Sequence, residues 1–409
     1  MKITESLGVL RERRFAWYFT ARTVSTAGSA MAPVALAFAV LHLTDSAGAL
    51  AQVLAARTAA MVLFLLLGGV LADRFSRTTV IQVSHVLTAL TQGTAALLFI
   101  TGDAELWMIV AIEALNGAVS AFTMPAMMAI VPTIVRREHI QPANALLSFS
   151  RNGLTVLGPA VAGALVVTVG PGWALAVDSL TYLVAIGCLM KVKLPPRVVD
   201  AGAAPSSMLG DLRDGWWEFR SRTWLWVVVV AFALLNAISV GATGVLGPLV
   251  ATRVPALGEA GWGLSLSAEA LGMVVMTLLM LRVTFRHPLK AGMLAIGVLG
   301  IPMLMLGLDP ATAPLVVAMF VAGAGTEIFG VGWSTALHEH IPEAALSRVS
   351  SYDALGSFVA MPIGTLAYGV LADHFDVSTV LVVSAVVYVA IALGTLLARS
   401  VRDLERAPT

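Results

Sequence analysis

Apolar residues run through this chain in long blocks rather than at alternating positions. Twelve blocks of about 20 to 30 residues are separated by short polar breaks. A helix needs about 20 apolar residues to cross a bilayer core. Backbone groups in lipid must bond within the protein, which leaves helices or closed barrels, and these blocks are too long for barrel strands. The pattern predicts transmembrane helices over about 15–42, 47–72, 79–101, 105–134, 140–169, 172–193, 222–252, 260–284, 288–309, 312–338, 343–373 and 376–398. The first block is too long for a cleavable signal peptide and contains Arg22 and Pro33. One longer polar interval, 194–221, opens on Pro195-Pro196, continues as a Gly/Ala/Pro/Ser tether and ends in an amphipathic stretch around Trp216, Trp217 and Phe219. It divides the blocks six and six. The expected fold is thus an all-α membrane protein with a bundle at 1–193, a linker at 194–221 lying on the inner membrane face, and a second bundle at 222–409.

The halves look related. A shift of 203 residues aligns Ser148 with Ser351, Phe149 with Tyr352, Gly153 with Gly356 and Pro159 with Pro362, all in the fifth and eleventh blocks. Two six-helix halves in parallel repeat form a known transporter architecture. Every third block also carries a stripe of polar or small residues at helical spacing. In the first these are Arg22, Ser25, Ser29 and Pro33; in the fourth, Glu113, Asn116, Gly117 and Ser120. In the seventh they are Asn236, Ser239, Thr243 and Gly247, and in the tenth Gly323, Glu327, Gly330 and Ser334. Small residues on one face can serve close helix packing. Four stripes at regular spacing point instead to a shared wet cavity, because lipid tolerates such faces poorly.

Composition agrees with the blocks: 58% of the 409 residues are hydrophobic and 12% charged, against about 25% charged in a soluble domain. With the N-terminus placed in the cytoplasm, 21 of the 25 basic residues fall on that side and only Arg253 falls outside. The positive-inside rule therefore predicts cytoplasmic termini. The excess of arginine over lysine, with abundant alanine and valine, hints at a bacterial source. A net charge of +1 gives no reason to expect a nucleic-acid partner. One cysteine, Cys188, excludes an internal disulfide and any CxxC site. There is no GxxxxGK[ST] phosphate loop and no His/Cys/carboxylate run with metal-ligand spacing. No soluble catalytic domain is expected.

Two motifs sharpen this. Between the second and third blocks stands GGVLADRFSR, with Gly69, Leu71, Ala72, Asp73, Arg74 and Arg77. Gly69 allows close helix approach, and Asp73 suits a facing helix N-terminus. In the fifth block stands GLTVLGPAVAG, with Gly153, Gly158, Pro159, Ala162 and Gly163; its proline bends the helix and its glycines permit tight packing. The first motif resembles the signature of the major facilitator superfamily, with Ser76 in place of a glycine and Thr78 in place of a basic residue. The second is similar to the glycine-proline motif of that superfamily's exporters, with Ala162-Gly163 where a double glycine is usual. ALAVDSLTYLVAIG, around Asp178, resembles the macrolide, drug and siderophore efflux branch. The resemblance implies alternating access, a cytoplasmic gate at Gly69, Asp73, Arg74 and Arg77 that latches onto the eleventh helix, and antiport driven by a proton gradient without a cofactor. An arginine usual in the fourth helix of drug antiporters is replaced by Glu113, so that proton relay cannot be carried over.

The remaining clues are ionisable residues inside blocks, each costing at least about 2.5–3.5 kcal/mol at mid-bilayer if unpaired. Arg57 and Arg151 read as structural partners. Asp178 and Glu269, nearer the outer ends, read as solvated, and Asp353 as close to an end. His85 reads as a packed, hydrogen-bonded histidine. Glu327 and then Glu113 are the expected proton-coupling groups, with Arg22, Ser25, Ser29, Asn116, Asn236, Ser239 and Ser334 lining the substrate cavity. The expected function is proton-coupled export of an amphipathic small molecule from a bacterial cell membrane by a monomer. That places the chain among multidrug efflux and antibiotic-resistance proteins. The alternatives are a dedicated siderophore or lysolipid transporter, and a non-transporting sensor or scaffold on the same fold.

Overall fold

The computed structural model describes residues 9–74, 77–136, 139–192, 216–217, 219–280, 282–308 and 311–406. Most of the expected linker lies outside the described residues. Among the described residues twelve long helices follow in chain order: α1 Arg13–Thr44, α2 Ala47–Arg74, α3 Arg77–Thr101, α4 Leu106–Ile134, α5 Ile140–Val169 and α6 Pro171–Leu189. Then come α7 Thr223–Arg253, α8 Gly258–Met280, α9 Pro288–Leu308, α10 Thr312–His340, α11 Glu343–His374 and α12 Val377–Leu397. Among the described residues, eleven of them are long and apolar enough to cross a membrane. The remaining expected span, the eleventh at 343–373, coincides with α11, a helix of 32 residues.

Local chemistry sets several helix ends. Gly170, at φ 93°, makes the bend between α5 and α6, and Pro171 starts α6, where its missing N–H costs nothing. Asp376 caps α12 by accepting from the Thr379 amide at 2.9 Å. Inside α7, Val240–Leu246 is π-helical, so the hydrogen-bond register widens for a turn. The even spacing expected for Asn236, Ser239, Thr243 and Gly247 therefore breaks after Ser239. The Thr243 hydroxyl folds back onto the Ser239 carbonyl at 2.6 Å.

The chain divides into two compact units, Met1–Val199 with Glu259–Ser267, and Asp200–Gly258 with Ala268–Thr409. The first turns of α8 thus belong with the first six helices. In the first unit α2 packs on α4, α1 on α5 and α6, and α3 on α4 and α6. The second unit repeats the scheme, with α7 on α11 and α12, and α9 on α10 and α12.

Glycines make the closest crossings. A Cβ on Gly117 of α4 would lie 2.0 Å from the Arg57 carbonyl oxygen of α2. One on Gly323 of α10 would lie 1.9 Å from the Glu269 carbonyl oxygen of α8. The two contacts are counterparts in the repeat.

One apolar cluster, with Phe15, Ile81, Ile130, Ile134, Cys188 and Leu189, fills the end of the first unit where α1 and α3 begin and α4 and α6 finish. Large apolar side chains such as Leu63, Leu90, Leu157, Leu180, Val317 and Ile363 stay exposed. Apolar surface on that scale suits lipid contact.

Candidate functional site

The first unit holds a cavity of about 530 Å³ lined by residues of all six of its helices, α1 to α6. Arg22, Ser25 and Ser29 line it, as the α1 stripe predicts. The stripe runs one turn further back than expected, to Tyr18, four residues before Arg22. Opposite stands Tyr182 of α6, whose hydroxyl bonds Ser29 Oγ at 2.8 Å. His85 packs edge-on to Tyr182 at 5.1 Å between ring centroids. Its Nδ1 bonds the Ile81 carbonyl at 2.8 Å, so it is the packed histidine expected and also a wall of the cavity. Tyr18 and Tyr182 escaped the sequence reading. Continuing the i, i+4 series backward from Arg22 finds the first, but nothing in the α6 sequence singles out the second.

Arg22 Nη1 donates to the Met127 sulfur. Arg151 of α5 also lines the cavity and is exposed. It makes no ion pair among the described residues, so the structural-partner reading fails for it.

Asn116 and Glu113 sit elsewhere. Arg57 Nη1 donates to Glu113 Oε2 at 2.9 Å. Asn116 Nδ2 donates to Glu113 Oε1 at 2.9 Å, and Thr91 Oγ1 donates to Asn116 Oδ1 at 2.5 Å. This chain of bonds ties α2, α3 and α4 together. Glu113 is 0% exposed and Asn116 3%, and neither lines the cavity. Asn116 is thus corrected from a cavity residue to a buried clamp. Both Glu113 oxygens are committed, which argues against the proton-carrying role expected of it.

Asp178 is also corrected. It is 1% exposed rather than solvated, and its Oδ1 has no hydrogen-bond partner among the described residues. Gly28 allows this, since a Cβ there would lie 2.3 Å from that oxygen. Asp353 lies ten residues into α11 and accepts from Trp333 Nε1 at 3.0 Å.

In the second unit Glu327 and Ser334 lie along one groove of α10, of about 450 Å³, with Gly330, Thr335 and His338. Glu327 Oε1 accepts from Thr277 Oγ1 of α8 at 2.8 Å and remains partly accessible. Asn236 Nδ2 donates to the Ser357 carbonyl at 3.4 Å, which joins α7 to α11. Neither Asn236 nor Ser239 lines the α10 groove. Glu269 stands where Arg57 stands in the first unit and has no ion-pair partner among the described residues.

The glycine-proline motif packs as its chemistry suggests, with one exception. A Cβ on Gly158 would lie 2.8 Å from the Ala30 carbonyl oxygen, and one on Gly163 2.8 Å from that of Glu259. Pro159's own carbonyl approaches Gly263 of α8, where a Cβ would lie 2.4 Å away. The Ala160 amide donates to Ser267 Oγ at 2.9 Å. A Cβ on Gly153 would meet nothing within 4 Å among the described residues, so close packing does not explain that glycine. Gly69, Asp73 and Arg74 close α2 and Arg77 opens α3; their side chains lie outside the described residues.

A family model described as "Transmembrane secretion effector" matches residues 4–407. The macrolide efflux protein A of Streptococcus pyogenes is 21% identical over 96% of this chain and 97% of its own. The enterobactin exporter EntS of Citrobacter koseri is 25% identical over 85% of this chain and 84% of its own. Among solved structures, the nucleoside transporter NupG superposes with a TM-score of 0.77 at 15% identity, covering 94% of this chain and 98% of its own.

Proposed function

The chain belongs to the transmembrane secretion effector family of the major facilitator superfamily, and from that premise we propose that it is a proton-coupled antiporter exporting an amphipathic small molecule from a bacterial cell. Its similarity to a macrolide efflux protein and an enterobactin exporter supports the direction of transport. The observation that carries the coupling role is the contrast between two carboxylates. Glu113 is sealed and doubly bonded inside the first unit. Glu327 is partly accessible on a polar groove and held by a single hydroxyl. A group that loads a proton from one side and releases it on the other must change its solvent access, and a bond from one hydroxyl with no ion pair among the described residues leaves Glu327 freer to do so than Glu113. The asymmetry of basic residues supports cytoplasmic termini.

Everted membrane vesicles with an imposed pH gradient test this, with a macrolide and a fluorescent long-chain carboxylate as probes. The parent should concentrate at least one probe. Glu327→Gln should lose that uphill accumulation while keeping downhill exchange. Uphill accumulation by Glu327→Gln equal to the parent's, or none by the parent for either probe, would overturn the reading.

A further inference from the structure

We infer that the cavity of the first unit is an oxyanion site, and that the transported molecule carries a carboxylate or phosphate group read by Arg22 and Arg151; this rests on the transport reading above. The two arginines enter from different helices at matching depth. Arg22 lies nine residues into α1 and Arg151 eleven residues into α5, or roughly 14 and 17 Å along axes that rise about 1.5 Å per residue. Both helices are odd-numbered in an alternating bundle, so those depths are measured from the same membrane face.

Among the described residues, none that lines the cavity is acidic. The two buried carboxylates described in this unit are spoken for or sealed. Glu113 binds Arg57 and Asn116, and Asp178 is buried and off the cavity wall. The acceptor that Arg22 finds is a thioether, a weak one. Two guanidinium groups without counter-ions are expensive at membrane depth. They are also the side chains best shaped to hold a carboxylate or phosphate through paired N–H donors.

The rest of the wall fits such a guest. Hydroxyls stand close by, with Thr23 Oγ1 and Ser150 Oγ 2.9 Å apart, ready to bond the same oxyanion or a neighbouring polar group. Met61 and Met127 give an adaptable apolar surface for the rest of the molecule. A cationic amine would meet two positive charges and no carboxylate here.

Purified protein in detergent and three dansylated undecyl probes test this directly, ending in a carboxylate, a carboxamide and a trimethylammonium group, with an alkyl phosphate as a fourth. Binding needs no gradient, so the result is independent of whether the protein couples transport to protons. An anionic probe should bind the parent about ten-fold tighter than the amide, the yield of one charge-assisted hydrogen bond. Arg22→Gln and Arg151→Gln should each cut that preference several-fold, and the double variant should abolish it while Cys188 labelling during an SDS titration follows the parent's midpoint, which shows that it is folded. The inference is overturned if neither anionic probe outbinds the amide and the trimethylammonium probe, or if the double variant keeps the preference.

Discussion

Arg57→Met should destabilise the protein severely, and adding Glu113→Gln should restore part of the loss. The arithmetic starts from exposure. Glu113 is wholly buried, whereas the Arg57 side chain keeps 36% of its surface accessible. Removing one partner of a buried pair costs about 3–5 kcal/mol, because the other charge is left uncompensated. Arg57→Met strands a carboxylate that cannot leave its site, so the full range applies. Glu113→Gln strands an arginine whose long stem can swing its head away. The amide oxygen still accepts one hydrogen bond, so about 1–3 kcal/mol is expected. In the double variant no charge is buried at this site, and the cost should fall below that of Arg57→Met alone. Cys188 provides the readout. It is the only cysteine in the chain, buried in the core of the same unit. Its labelling by a thiol-reactive dye during a titration with SDS follows unfolding there. A double variant that loses as much stability as the two singles summed would refute the pair as a coupled unit.

Gly117→Ala and Gly323→Ala should each cost about 1–3 kcal/mol or more, since the new methyl meets a backbone carbonyl that cannot rotate away. Gly153→Ala should be neutral or raise stability by up to about 1 kcal/mol, its methyl meeting open space and its helix propensity improving; the same labelling titration ranks all three. Ser267→Ala leaves the Ala160 amide beside Pro159 without its acceptor. It should cost about 1–3 kcal/mol, seen as faster hydrogen exchange confined to the middle of α5. Asp376→Ala removes the cap of α12 and should cost about 0.5–2 kcal/mol, with exchange rising in the first turn of α12 only.

The helices were legible because lipid makes one demand of each of them, a run of about 20 apolar residues. The apolar runs alone did not place the ends, which Gly170, Pro171 and Asp376 set in the structure. The π-helical turn of α7 was not legible. Its hydrogen-bond register leaves no trace in an apolar pattern, and the glycines at 241 and 244 occur just as readily in an ordinary packed helix. The polar stripes told which residues share a face but not what that face meets. Asn116 and Ser120 stand one turn apart on α4, yet one is locked between α3 and Glu113 while the other lines the cavity. Partner choice across helices depends on packing. Hence Arg57 found Glu113, and Arg151, read the same way from sequence, faces the cavity instead.

Proton counterflow is the most direct test of the account. Proteoliposomes loaded with a pH-sensitive dye and given a gradient of a transported probe, with no pH gradient imposed, report whether moving the probe moves protons. The account predicts proton movement opposite to the probe with the parent protein, and probe movement without proton movement with Glu327→Gln. Probe flux through the parent with no accompanying proton flux would contradict it.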